Sequence, residues 1–330
     1  MKLIIFLLTF GILTANPFEE GIKEATYYTT PQGHELRYTC FKSPIKGAKN
    51  TVFFIQGRGT FLEFYEVLIT PLLERGFDVW MYDLSGQGGS SRLPLKGKHD
   101  ELTAQKMQHV ETFDLYIDDA ASFFEAIVKP QAQGDIYLGG YSTGGHIALR
   151  LMQKIPDLPF KAAFVLSPLL KMRAPLPNTC LTYLLGGAGW VVDLETYVPG
   201  MGPVDPVFTA PFAPNPYSSD PERYQELQTL CIDYTHWMMG APSLGWIKAA
   251  VNSIEVLWHP QALQAIQIPL LIATGENDGV VDVSYNALFA EKLPLATHVS
   301  YPEGRHELFR EAPAILEAWW QDFDEFRMHR

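Results

Sequence analysis

The chain has 330 residues, 47% of them hydrophobic and 13% aromatic, enough for one large buried core or for a domain carrying an insertion. Its 37 acidic and 25 basic side chains give a formal net charge of −12. With no basic block anywhere, this balance argues against nucleic acid and against electrostatic attraction to an anionic membrane. Three cysteines, Cys40, Cys180 and Cys231, make no disulfide framework and match no zinc spacing. One bridge is the maximum, with Cys180 and Cys231 the pair to test in an exported chain and buried thiols the simpler reading.

The N-terminus reads as a secretory signal peptide over residues 1–15. Lys2 precedes the apolar run 3–13, and Thr14-Ala15 leads into Asn16-Pro17. The run is shorter than the roughly 20 apolar residues that span a bilayer. Leu13 is larger than a cleavage site favours, so an uncleaved membrane anchor is the alternative to a periplasmic or secreted location.

After residue 50 the hydrophobic period alternates between strand and helix. Strands are expected at 51–55, 77–82, 135–138 and 162–166, with helices at 61–74, 113–128 and from Ser142 to about Lys154. Such βαβ alternation predicts an α/β class with a mostly parallel central sheet flanked by helices. The rhythm breaks between about 168 and 262, where nine prolines from Pro175 to Pro221 prevent long helices over much of the stretch. Helices return at 221–239 and 244–257. This region, 169–261, is expected to be a cap or lid inserted into a core formed by 16–168 and 262–330. Strands at 269–274 and 297–301 and helices at 283–293 and 308–326 complete the core.

Gly140-Tyr141-Ser142-Thr143-Gly144 follows the third expected strand. In this Gly-x-Ser-x-Gly pattern the glycines let a serine occupy a sharp strand-to-helix turn, where free N–H groups and the helix dipole face it. Ser142 is therefore the candidate nucleophile, and it needs a base and an acid to orient that base. Asp278 follows the strand ending at Thr274 and His306 follows the strand ending at Tyr301, which places both at the sheet edge occupied by Ser142. Asp282 is the main rival for the acid and Glu276 a more distant one. His146, one turn into the helix after Ser142, is expected to pack rather than to reach the hydroxyl. An oxyanion hole requires two N–H donors. Thr143 supplies one, and the loop Gln56-Gly57-Arg58-Gly59-Thr60 the other, with Arg58 preferred over its glycine neighbours.

These segments resemble the α/β-hydrolase superfamily, within it the serine hydrolases that include monoacylglycerol lipases and bacterial lysophospholipase L2-like proteins. The resemblance rests on Gly57-Arg58-Gly59 with Glu63-Phe64-Tyr65, on the turn Asp83-Leu84-Ser85-Gly86-Gln87-Gly88-Gly89-Ser90-Ser91, on Tyr116-Ile117-Asp118-Asp119, and on Ser142-Thr143-Gly144-Gly145 and Gly304-Arg305-His306-Glu307. Pro242-Ser243-Leu244-Gly245-Trp246 is similar to a cap segment of the lysophospholipase-like branch. Gln56, Tyr141 and Thr143 depart from the common pattern without removing a backbone donor. The resemblance implies the α/β-hydrolase fold and hydrolysis of a small lipid-like carboxylic ester, a lysophospholipid or monoacylglycerol, with no metal or organic cofactor and with transient membrane or micelle contact through the cap. The alternatives are an aminopeptidase, whose cap would need carboxylates such as Asp193, Glu195, Glu222, Glu226 and Asp233 to hold an α-ammonium, and a non-catalytic binding protein on the same scaffold.

Overall fold

The computed structural model describes residues 16–329 except 48, 174–192, 205–206, 208–209 and 214. The expected signal peptide and Cys180, the one cysteine considered as a partner for Cys231, lie outside the described residues. Among the described residues no helix is long and apolar enough to cross a membrane.

One sheet contains β1 (Thr26–Thr29), β2 (Glu35–Phe41), β3 (Asn50–Ile55), β4 (Phe77–Tyr82), β5 (Ile136–Tyr141), β6 (Phe160–Leu166), β7 (Leu270–Gly275) and β8 (Ala296–Tyr301). Their order is β1-β2-β4-β3-β5-β6-β7-β8. Neighbours from β4 to β8 pair in parallel, whereas β2 pairs antiparallel with both β1 and β4. The apolar run of β3 is a consequence of position. Flanked by β4 and β5 and covered on both faces, it sends Val52 and Phe54 into one core and Phe53 and Ile55 into the other.

The helices are α1 (Pro17–Lys23), α2 (Glu66–Glu74), α3 (Glu101–Lys106), α4 (Asp114–Phe123), α5 (Thr143–Lys154), α6 (Pro221–Asp233), α7 (Leu244–Leu257), α8 (Pro260–Leu263), α9 (Ser284–Glu291) and α10 (Pro313–Met328). Apolar side chains of α4, α5, α7 and α9 pack with Phe53 and Ile55, and those of α1, α2 and α10 pack with Val52 and Phe54. Each fully buried Phe or Leu in these layers stabilises the fold by about 1.5–3 kcal/mol.

Several boundaries differ from expectation. The hairpin β1–β2 and helix α1 precede the region where alternation was read. Yet β2 buries Leu36, Arg37, Thr39 and Phe41, and α1 carries an Asn16 cap and Pro17 in its first turn. The segment 61–74 opens as a 3₁₀ turn at Leu62–Tyr65, because the Leu62 N–H is held by the Asp83 carboxylate at 2.8 Å. α6 stops at Asp233, six residues short. The last expected helix is divided, with a 3₁₀ turn at Leu308–Arg310 and α10 starting at Pro313, where proline lacks the N–H that a continuous helix would need.

Residues 167–269 lie between β6 and β7, adjacent strands of the sheet. Part of this excursion is fastened to the core. Within it, Asn215 Oδ1 accepts from Tyr217 and Ser218 N–H at 2.8 and 3.0 Å, shaping a turn. The Pro216 and Tyr217 carbonyls then accept from the N–H groups of His306 and Glu307 at 3.1 and 2.8 Å.

Candidate active site

Ser142 sits between β5 and α5 with φ 53° and ψ −116°, a conformation that L-residues rarely hold without surrounding restraint. The restraint is visible. Its N–H donates to Leu166 O at 2.9 Å, and its carbonyl accepts from His146 and Leu169 N–H at 3.1 and 3.0 Å. The glycines of the pentapeptide are demanded by backbone. A Cβ at Gly140 would lie 2.6 Å from Gly144 O, and one at Gly144 would lie 2.1 Å from Ile55 O.

Ser142 Oγ is 3.0 Å from His306 Nε2, and His306 Nδ1 is 2.6 Å from Asp278 Oδ2. All three side chains are buried. The other carboxylate oxygen, Asp278 Oδ1, accepts from Val280 and Val281 N–H at 2.7 and 2.9 Å, so the acid is fixed before it meets the imidazole. β7 and β8 bring these two loops together, with Gly275 paired to Tyr301. Asn277 N–H donates to Gly304 O at 2.8 Å. A Cβ at Gly275 would lie 2.4 Å from that same carbonyl oxygen.

The rivals point elsewhere. Asp282 Oδ1 accepts from Ser284 N–H and Oγ–H at 3.3 and 2.6 Å at the start of α9. Glu276 Oε1 is exposed and accepts from Ser300 Oγ–H. His146 packs, as its place in α5 suggested. Its Nδ1 is 2.9 Å from Leu169 O and its Nε2 is 2.7 Å from Ser253 Oγ on α7. Nδ1–H therefore donates and Nε2 accepts, a neutral ring. Burial, with the Arg150 charge acting in the same direction, lowers its pKa to about 3. An unfolded histidine takes up its proton near pH 6.5. His146 therefore adds stability that is complete above pH 6.5 and is lost as pH falls toward 3, with a slope of up to about 1.4 kcal/mol per pH unit. Urea unfolding at pH 6.5, 5.5 and 4.5 should show this extra slope in the parent and its removal in His146→Gln. Parallel profiles would refute the neutral buried ring.

The loop after β3 is set by side chains that the sequence reading did not assign. Gly57 N–H donates to Tyr65 Oη at 2.6 Å, and Gly59 N–H to Gln87 Oε1 at 2.5 Å. Between these two anchored amides, Arg58 N–H makes no hydrogen bond among the described residues. The same holds for Thr143 N–H, in the first turn of α5, where helical amides lack an internal partner. Arg58 and Ser142 line one pocket.

Beneath this loop Arg37 joins Glu63 at 2.5 and 3.1 Å and Asp83 at 3.3 Å. Burial pushes the Asp83 carboxyl up to about 7, a rise that the Arg37 guanidinium and the Gly89 and Leu62 N–H groups offset only in part. Arg37 also lies under the Trp237 ring at 5.1 Å. Gly88 has φ 51°, and a Cβ there would lie 2.5 Å from the Asp83 carboxylate. The turn at 83–91 is thus a support that holds the loop from below.

A pocket opens above Ser142. Phe64, Val207, Leu227 and Met238 give it an apolar wall, and Arg58, His306 and Glu307 are its ionisable members, together with Tyr141, Tyr217 and Cys231. Of the five carboxylates that an aminopeptidase cap would use, none lines it. Glu195 accepts from Lys96 and Gly97 N–H and faces His99. Asp193 Oδ1 accepts from Glu195 N–H. Glu222, Glu226 and Asp233 line a separate, open groove along α6.

A protein-family model described as Serine aminopeptidase, S33 (Hydrolase_4) matches residues 46–313, a span that holds Arg58, Ser142, Asp278 and His306. The chain belongs to this hydrolase family. It is 24% identical over 316 residues to a probable lysophospholipase L2 of Haemophilus influenzae, covering 92% of this chain and 91% of that protein. With lysophospholipase L2 of Escherichia coli it shares 26% identity over 235 residues, 71% of this chain and 65% of the other. In three dimensions it is similar to a carboxyl esterase from Bacillus coagulans, with TM-score 0.69, 16% identity and coverage of 93% and 98%. A soluble variant of monoglyceride lipase from Saccharomyces cerevisiae gives TM-score 0.67 and 17% identity, with coverage of 91% and 93%. The fold is accordingly that of the α/β-hydrolases.

Proposed function

We propose that the protein is a serine hydrolase that cleaves the carboxylic ester of a single-chain lipid, a lysophospholipid or monoacylglycerol, through an acyl-enzyme on Ser142. The observation that carries this is the unbroken relay from Ser142 Oγ through His306 to Asp278 in a pocket with one apolar wall. His306 Nε2 takes the Ser142 proton as Oγ attacks the ester carbonyl, and the Arg58 and Thr143 N–H groups bind the oxyanion. The carbonyl reforms as the C–O bond breaks, and the imidazolium gives its proton to the leaving alcohol. Water, deprotonated by His306, then releases the fatty acid and restores Ser142. Asp278 stays ionised and stabilises the imidazolium. None of these steps calls on a metal or organic cofactor.

The segment 169–261 serves as the cap, contributing Val207, Tyr217, Leu227, Cys231 and Met238 to the pocket wall. Of these, Val207, Leu227 and Met238 suit an acyl chain. Among the described residues an α-ammonium would find only the Glu307 carboxylate there, and it lies 3.4 Å from Arg310 Nε. This arrangement favours esters over N-terminal peptides, although the family model bears a peptidase description. An exported enzyme of this kind would meet its lipids at a membrane or micelle surface.

Purified protein should hydrolyse monoacyl esters in preference to aminoacyl amides by at least about a hundredfold in kcat/KM, and a fluorophosphonate should label Ser142. Preferential cleavage of the amides would install the aminopeptidase reading. Failure of both assays would leave a binding protein.

A further inference from the structure

Arg58 has a second group to account for, its guanidinium. Arg58 lines the pocket and is half-buried, with Nη1 donating to Gln108 Oε1 at 3.2 Å and the guanidinium centre 5.6 Å from the Trp246 ring centroid. Gln108 and Trp246 are both buried, and Gln108 Nε2–H is itself held by Gly240 O at 2.6 Å. The cation is therefore positioned by a fixed amide and a fixed ring. Yet among the described residues no carboxylate comes within ion-pairing distance of it, in a chain with 37 acidic side chains and 25 basic ones. A positioned guanidinium left without an anion, on a residue that lines the same pocket as the nucleophile, is a ready site for one, since its planar fork matches phosphate oxygens.

We infer that the Arg58 side chain is the headgroup subsite, binding the phosphodiester of a lysophospholipid while the N–H of the same residue binds the oxyanion. This rests on the proposed esterase reading and deepens it. The geometry is economical. Three glycerol carbons separate the ester from the phosphodiester, and a comparable span separates an arginine's amide N–H from its guanidinium. One residue can thus register both ends of the glycerol unit, placing the acyl chain against Phe64, Leu227 and Met238. A monoacylglycerol offers only a hydroxyl to the cation and gains no charge pairing.

The test compares lysophosphatidylglycerol with monoacylglycerol of the same acyl chain, in the same mixed micelles, for the parent, Arg58→Gln and Arg58→Lys. Both variants keep the backbone N–H. The ratio of the two kcat/KM values should fall at least tenfold in Arg58→Gln, mainly through KM for the phospholipid, and less in Arg58→Lys. Equal losses on both substrates would overturn the inference and leave the guanidinium a prop for the loop. A second arm uses the parent alone. Glycerophosphoglycerol should inhibit monoacylglycerol hydrolysis at concentrations where glycerol does not, and equal effects of the two would also overturn it. If the parent cleaves neither lipid, the esterase reading itself fails and the subsite falls with it.

Discussion

Ser142→Ala should lower kcat on a monoacyl ester by about 10⁴-fold or more, leaving only what the oxyanion donors and binding supply. Alanine keeps the Cβ, and the backbone restraints on residue 142 come from Leu166, His146 and Leu169 rather than from its own side chain. The variant should therefore fold as the parent does and bind lipid with a similar affinity, so that the loss appears in kcat. The hydroxyl removed is the one 3.0 Å from His306 Nε2, and no water held at that point can form the acyl-enzyme. Stopped assays should show no burst, and a fluorophosphonate should no longer attach. Turnover within tenfold of the parent, or labelling that persists in the variant, would place the nucleophile elsewhere and sink the mechanism.

Much of this site was legible because the chemistry depends on strand ends, and strand ends are marked in sequence. The apolar runs before Gln56, Asp278 and His306 locate β3, β7 and β8 within one residue, the run before Ser142 locates β5 but ends three residues early, and a parallel sheet then gathers their following loops at one edge. The supports were less visible. Tyr65 and Gln87 act on Gly57 and Gly59 across 8 and 28 residues, and a hydroxyl or amide that reaches a distant N–H leaves no periodic trace. The Asn215–Ser218 turn was hidden for the same reason. Its prolines announced a loop, but which loop it would fasten depended on tertiary contact with residues 306 and 307. β2 carries a signal, the alternation of Leu36, Tyr38 and Cys40 with polar neighbours, but it lies before the βαβ rhythm that begins near residue 50.

The choice of acid among Asp278, Asp282 and Glu276 is decided by the largest remaining effect. Asp278→Asn preserves shape and should still reduce kcat by about 10⁴-fold near neutral pH. The reason lies in the two oxygens of Asp278. Oδ1 faces the Val280 and Val281 N–H groups, which can only donate, so an asparagine must present its carbonyl there and turn its amide toward His306. That amide donates to Nδ1 and moves the ring proton to Nε2, 3.0 Å from Ser142 Oγ. Nε2–H then donates to the Ser142 oxygen, and no base remains to take the serine proton. KM should change little, because the amide touches no substrate. Asp282→Asn and Glu276→Gln remove only contacts to Ser284 and Ser300 and should keep activity within a few-fold of the parent. A loss in Asp282→Asn matching that of Asp278→Asn would transfer the role. The ordering should also respond to pH. Raising it increases hydroxide, which can deprotonate the serine without help from the ring, so Asp278→Asn should recover rate with rising pH while Ser142→Ala does not.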